Sequence, residues 1–392
     1  MSPAGQAHAT DPGRGPVADL AAQADRLPLV DHHVHGALAR EVDRAVFEGY
    51  LTEARSASAD GSALDSQLGF ALRRWCSPIL GLPVHASAQE YWEQRQSLGE
   101  AEVNKRMLGA SGIALFLIDT GYLGGALLRP TDHALAAAAG AHEIVRLETV
   151  AEQLLMSSGS AEVFLREYAA VLAEATRDAV ATKSVLAYRC GFDSSGPRPY
   201  RHEVLRAAGD VLRRDGANPR IDDPVLARHL LWAAVDRALP LQLHSGFGDA
   251  DLDLHRCDPL LLSGWLREVE PTGVPVVLLH NYPFHRQAGY LAHVFTNVYL
   301  DVGLGVSYLG AQSRQLIAES LELAPFGRLL FSTDACGPSE LHFLGARLWK
   351  QGMAEVLGGW IGDGSWSERD AHRVLALVGH LNAERLYGVA SS

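Results

Sequence analysis

Cysteine is scarce in this 392-residue chain, and the four present, Cys76, Cys190, Cys257 and Cys336, lie far apart. They form no CxxC pair, which excludes a zinc ribbon and a disulfide framework and makes a reducing cytoplasm the expected home. No run approaches the ~20 uninterrupted apolar residues of a membrane helix. The opening stretch MSPAGQAHATDPGRGPVADL has no apolar core of signal-peptide length. Rich in Ala, Gly and Pro, it reads as a flexible leader over residues 1–25. Basic charge is also short, with 34 Lys and Arg against 46 Asp and Glu, a formal net charge of -12. Such a surface repels nucleic acid and anionic lipid alike, so neither is expected as a partner. No glycine-rich phosphate loop follows the first apolar run, which counts against an open dinucleotide-binding sheet.

What the chain does have is apolar content, 47% of residues, enough for a large core that needs no staples. It also has 17 histidines, and histidine is the commonest metal ligand and the proton carrier of neutral pH. Eight short aliphatic runs recur, at 27–35, 112–121, 143–149, 182–192, 240–248, 274–283, 296–304 and 327–335. They are near-continuously apolar, as parallel strands covered on both faces are. Helical patterns lie between most of them, including 161–180 and 223–239, where Asp223 before Pro224 marks a helix start. Eight βα units in series predict a (β/α)8 TIM-like barrel occupying residues 26–392. The 36–111 interval is too long for one helix and its loops. It predicts a helical insertion after the first strand, at the catalytic rim, acting as a lid or a subunit contact; a homo-oligomer such as a dimer is expected.

Catalytic groups of a parallel barrel sit at the C-terminal ends of its strands. The first run ends in Asp31-His32-His33-Val34-His35, and strand alternation sends His33 and His35 to one face. The fifth run ends in His244, the sixth in His280 and the eighth in Asp334; Lys183 lies early in the fourth. A lone strand-end histidine is more often a hydrogen-bonded structural residue. A His pair, two further His and an Asp, each at a strand end in order, is a metal site for a cation such as Zn2+. An Asp on the last strand can bind the ion weakly and take a proton from its water.

These stretches resemble the amidohydrolase superfamily in its amidohydrolase-2 branch. The likeness is carried by PLVDHHVHG, IVRLET, KSVLAYRCGF, PLQLHSGFGDADLDL, LLHNYPFHRQAGYLA, NVYLDVGL and LLFSTDACGPSEL. It extends to the amidohydrolase-like half of FluG and nodulin-type proteins, where that half is fused to a glutamine-synthetase-like one; from the length of this sequence a stand-alone member is expected. The resemblance implies that His33, His35 and His244 are metal ligands and that Asp334 is ligand and general base. It makes His280 a second-metal ligand or a substrate-facing residue. Lys183 is either a carboxylated bridge between two ions or an ion-paired lysine at the base of its strand. The cofactor implied is a divalent metal, most readily Zn2+, as one or two ions.

Further readings concern the substrate. Arg189, near the end of the fourth run, is placed to clamp a carboxylate. Arg146 and Glu148 alternate on the third run and either face the substrate or pair with each other. Asp249 and Asp251 either orient His244 or are solvated loop acids. Cys336 reads as a small turn residue, and nothing demands His32 or His285 as a ligand. The function expected is metal-dependent hydrolysis of a C–N bond in a small molecule, with a non-hydrolytic lyase, such as a decarboxylase, as the alternative. A barrel retained without catalysis is disfavoured because His33, His35 and Asp334 are all present.

Overall fold

Seven of the eight apolar runs form strands, and the eighth is extended chain that bonds on both sides. A computed structural model describes residues 15–54 and 61–391. The strands are β1 (Leu29–Val34), β2 (Ile113–Asp119), β3 (Gly140–Arg146), β4 (Ala181–Ser184), β5 (Leu241–Ser245), β6 (Val276–His280) and β7 (Val298–Leu300). All pair in parallel, each with its successor in sequence. This is the pattern that helical crossovers impose on a sheet buried on both faces. Beyond β7, Leu330 N donates to Leu300 O at 3.0 Å, while His32 N donates to Phe331 O (3.2 Å) and His35 N to Ala335 O (2.9 Å). Asp31 reinforces this contact, its carboxylate accepting from the Thr333 N–H at 3.0 Å and hydroxyl at 2.5 Å. The parallel sheet is therefore curled, and the last run reaches back to the first strand.

Alternation sorts the strand side chains. Leu241 and Leu243 pack with the surrounding helices, which leaves Gln242 and His244 on the other face of β5. Val30, Leu115, Leu117, Ile144, Val277, Leu279 and Leu330 meet in a separate inner cluster. Ala383 and Tyr387, from the helix Asn382–Tyr387, join that cluster. The helix expected after Asp223 spans Pro224–Arg237, and the Asp223 carboxylate caps it by accepting from Val225 N and Leu226 N.

Three expectations need correction. Residues 16–26 of the supposed leader form a helix whose Leu20 and Ala24 are buried; residues 1–14 lie outside those described. The third run turns helical at Leu147, and β4 stops at Ser184, eight residues short of the expected end. One carboxylate accounts for the break in β4: Glu148 Oε1 accepts from Ser184 Oγ (2.6 Å) and Val185 N (3.0 Å). Between β1 and β2 lie four helices, Arg44–Gly49, Gln67–Ile79, Ala88–Leu98 and Glu100–Ala110. The third carries a reciprocal capping box between Ser87 and Glu90.

Candidate metal centre

The C-terminal strand ends converge on Asp334. Its Oδ1 lies 3.3 Å from His33 Nε2 and 3.8 Å from His35 Nε2, and its Oδ2 lies 3.3 Å from His280 Nε2. Lys183 Nζ stands 3.2 Å from His33 Nε2. Because β4 is only four residues long, this lysine comes next to last in its strand and at the mouth of the sheet, not at its base. His244 stands beside His280, ring centroids 4.7 Å apart. Among the described residues, two groups have ligand atoms within 4.8 Å of one another, His33 with His280 and Asp334, and His33 with His35 and Asp119. His244 belongs to neither.

Second partners fix which nitrogen each ring offers. His35 Nδ1 lies 3.2 Å from the Asp119 carbonyl, so it carries the hydrogen and Nε2 is left bare. The Phe247 backbone holds the His244 ring, whose buried Nε2 has no partner. For His33 the assignment follows from a longer chain. Asp301 is ionised: burial pushes its carboxyl up, but the hydrogen bond from His32 and the N–H groups of Gly303 and His280 hold it below its usual range. It can only accept, so His32 Nε2 donates to it at 3.0 Å. In a neutral ring His32 Nδ1 then accepts from the Tyr387 hydroxyl at 3.0 Å. The Tyr387 oxygen accepts from Gln242 Nε2 at 2.9 Å, and that amide also donates to His32 O. Gln242 Oε1 is left to accept from His33 Nδ1 at 2.8 Å. His33 Nε2 therefore carries a lone pair, aimed at Asp334 and Lys183.

Burial dominates the electrostatics. It pushes His33, His244 and His280 well below the ordinary histidine range and His35 down to about 4, so all four rings are neutral. It raises Asp334 to about 6 and lowers Lys183 to about 8. Neutral imidazoles, a carboxylate and buried ring nitrogens without partners, including His244 Nε2 and His280 Nδ1, are donors suited to a divalent cation. His280, Asn281 and Asp334 all take left-handed backbone conformations, with φ of 68°, 61° and 51°. Such conformations cost ~1–3 kcal/mol for non-glycine residues and cluster at functional sites.

The centre opens into a cavity of about 520 Å³, lined among others by Tyr50, Glu53, Tyr122, Arg146, Tyr188, Arg189, Arg220, Asp249, Asp251 and Cys336. Arg146 does not pair with Glu148. Its Nε and Nη2 donate to Asp119 Oδ2 at 3.1 and 2.5 Å, and the other Asp119 oxygen accepts from Gly121 N. Asp119 is thus already engaged. Cys336 faces the cavity with its thiol pushed up by burial. His32 sits under the centre as a support, and His285 is elsewhere, paired with Glu319 at 2.7 Å. Sequence reasoning missed Gln242, Asp301 and Tyr387. Gln242 was detectable, since a polar residue two positions from His244 in an apolar run shares its face; Tyr387 carried no local signal.

A family profile for amidohydrolases matches residues 30–389. FluG of Emericella nidulans is 29% identical over 92% of this chain; the chain spans 45% of that relative's length. A solved structure from Lactobacillus casei, described as a candidate metal-dependent hydrolase, superposes with TM-score 0.82 at 25% identity, covering 94% of this chain and 97% of that one. A uronate isomerase from Bacillus halodurans shares the fold alone, with TM-score 0.64, 14% identity and 95% and 96% of the two chains covered.

Proposed function

From the membership of this chain in the amidohydrolase family, amidohydrolase-2 branch, we propose that it is a metal-dependent hydrolase cleaving the C–N bond of an amide or related small molecule. On this reading the curled sheet acts as a (β/α)8 barrel with 329–335 as its eighth stave, and the end of the first helix after β1, with the residues that follow it, forms part of the rim of the cavity. His33, His35, His244 and Asp334 hold the ion. The donor set of imidazole nitrogen and carboxylate oxygen favours Zn2+. When bound, such a cation supplies Lewis-acid polarisation and acidifies water.

The observation that carries the reading is the position of Asp334, within 3.3 Å of both His33 Nε2 and His280 Nε2. A carboxylate raised to about 6 accepts a proton from water near neutrality and returns it to the leaving nitrogen. His280, held neutral by burial, orients the reacting carbonyl. Lys183 is placed for a carboxylated bridge in a two-ion form, since a depressed ammonium gives up its proton readily.

Elemental analysis of wild-type protein and Lys183→Ala tests the metal assignment. Two ions falling to one supports the bridge, and an unchanged single ion removes it. Turnover of an amide panel in D2(18)O tests the chemistry. Solvent 18O in the acid product is expected; CO2 release with solvent deuterium on carbon, and no 18O, would replace hydrolysis by the lyase.

A further inference from the structure

The cavity is electrically two-sided. Glu53, Asp249 and Asp251 line it together with Arg146, Arg189 and Arg220. Glu53 is held by the Tyr308 hydroxyl, 2.8 Å away. Arg146 ends β3, and Arg189 and Arg220 lie in the β4–β5 connection, Arg189 on the short helix Leu186–Arg189. Two carboxylates serve them. Asp119 is taken by Arg146. Glu152 Oε1 lies 3.3 Å from Arg189 Nη2 and also accepts from Ile221 N at 2.9 Å. That second bond brings residue 220 alongside Arg189. The Glu148 carboxylate is turned to Ser184 and Val185.

Three guanidiniums therefore face two carboxylates. The surplus is visible in particular atoms: Arg189 Nη1 is buried without a partner, and among the described residues no carboxylate forms an ion pair with Arg220. A buried charged donor left unmade costs ~1–3 kcal/mol or more, so such an atom in a cavity wall calls for an acceptor from outside. A planar fork meets a carboxylate with two parallel hydrogen bonds.

We propose that the substrate carries a carboxylate and that Arg189 and Arg220 receive it, on the wall built after β3 and β4. The proposal rests on the cavity being the reaction site and adds the substrate class. The acids at Glu53, Asp249 and Asp251 repel the same group, so they fix which way round the substrate lies.

The test uses metal-loaded protein and calorimetric titration with unbranched dicarboxylates from malonate to pimelate, each against the monocarboxylate of equal chain length. One carboxylate occupies the metal centre and the second reaches the arginines. At the fitting length the dicarboxylate should bind at least tenfold tighter than its partner. Arg220→Met, a change at an exposed residue, and Arg189→Met should each remove that gain and leave monocarboxylate binding unchanged. Arg189→Lys should restore only part of it. The proposal is overturned if no dicarboxylate binds tighter than its counterpart, or if the gain survives both Met substitutions. Failure of hydrolysis reads separately: a persistent dicarboxylate gain with no solvent 18O in any product sinks the hydrolase and keeps the subsite. Neutral amides hydrolysed as fast as carboxylate-bearing ones, with 18O uptake intact, sink the subsite and keep the hydrolase.

Discussion

Replacing Tyr387 by Phe removes one oxygen from the hydrogen-bond chain between Asp301 and His33 and leaves the Gln242 amide held by His32 O alone. The orientation of Gln242 is then less firmly held, and with it the tautomer of His33. Supports of this kind are worth ~10–100-fold in metal affinity, so Tyr387→Phe should lose that much in competition with a chelator. The 15N spectrum should show two tautomers of His33 where wild type shows one; unchanged affinity with a single tautomer would refute the relay. Asp334→Asn asks a different question at the same centre. The amide keeps an oxygen for the ion but cannot take a proton. Metal content should hold while turnover falls ~10²–10⁴-fold; a wild-type rate would remove Asp334 from proton transfer.

The elements were legible where one pattern decided them and illegible where a distant side chain did. Apolar runs bounded by turns located all seven strands, because a sheet buried on both faces must be apolar throughout. Nothing in SVLAYRCGF says that β4 ends at Ser184, since the cause is the Glu148 carboxylate 36 residues earlier. The same error hid the place of Lys183 in the site. The metal ligands stood out because strand-end histidines recur in order; of their supports only Gln242, two positions from His244, had a spacing to detect, while Asp301 and Tyr387 lie far off in the sequence. The last part of the leader was misread because composition alone suggested flexibility, whereas Pro16–Arg26 packs on the helix Ser339–Gly362. A Cβ at Gly358 would meet Val17 Cα at 2.7 Å and N at 2.9 Å; at Gly359 nothing lies within 4 Å. Gly358→Ala should therefore lose about 1–3 kcal/mol in chemical denaturation, as overpacking does. Gly359→Ala should gain up to ~1 kcal/mol from helix propensity. Equal effects at the two positions would contradict the packing of the first helix.

Across the whole molecule, buried histidine sets the response to acid. Burial lowers His133 and His229 to about 4, and pushes His342 well below its ordinary range. His133 and His342 lie together, ring centroids 5.0 Å apart. Unfolded, each would titrate near 6.5. Between those values the unfolded chain binds more protons than the folded one, so stability rises with pH in this window and falls on acidification. Metal-free protein should lose stability progressively from about pH 6.5 towards 4, on the order of 3 kcal/mol for each such group with a folded value near 4. Denaturation midpoints that stay flat over that range would show these rings to be hydrated. Another property of the whole chain follows from the Tyr387 contact, which spans 355 residues back to His32. Synthesis at ~5–20 residues per second separates the birth of those two residues by roughly 20 to 70 s. Throughout that interval a nascent chain already displays His33 and His35, while a residue that will help hold the tautomer of His33 has yet to be made.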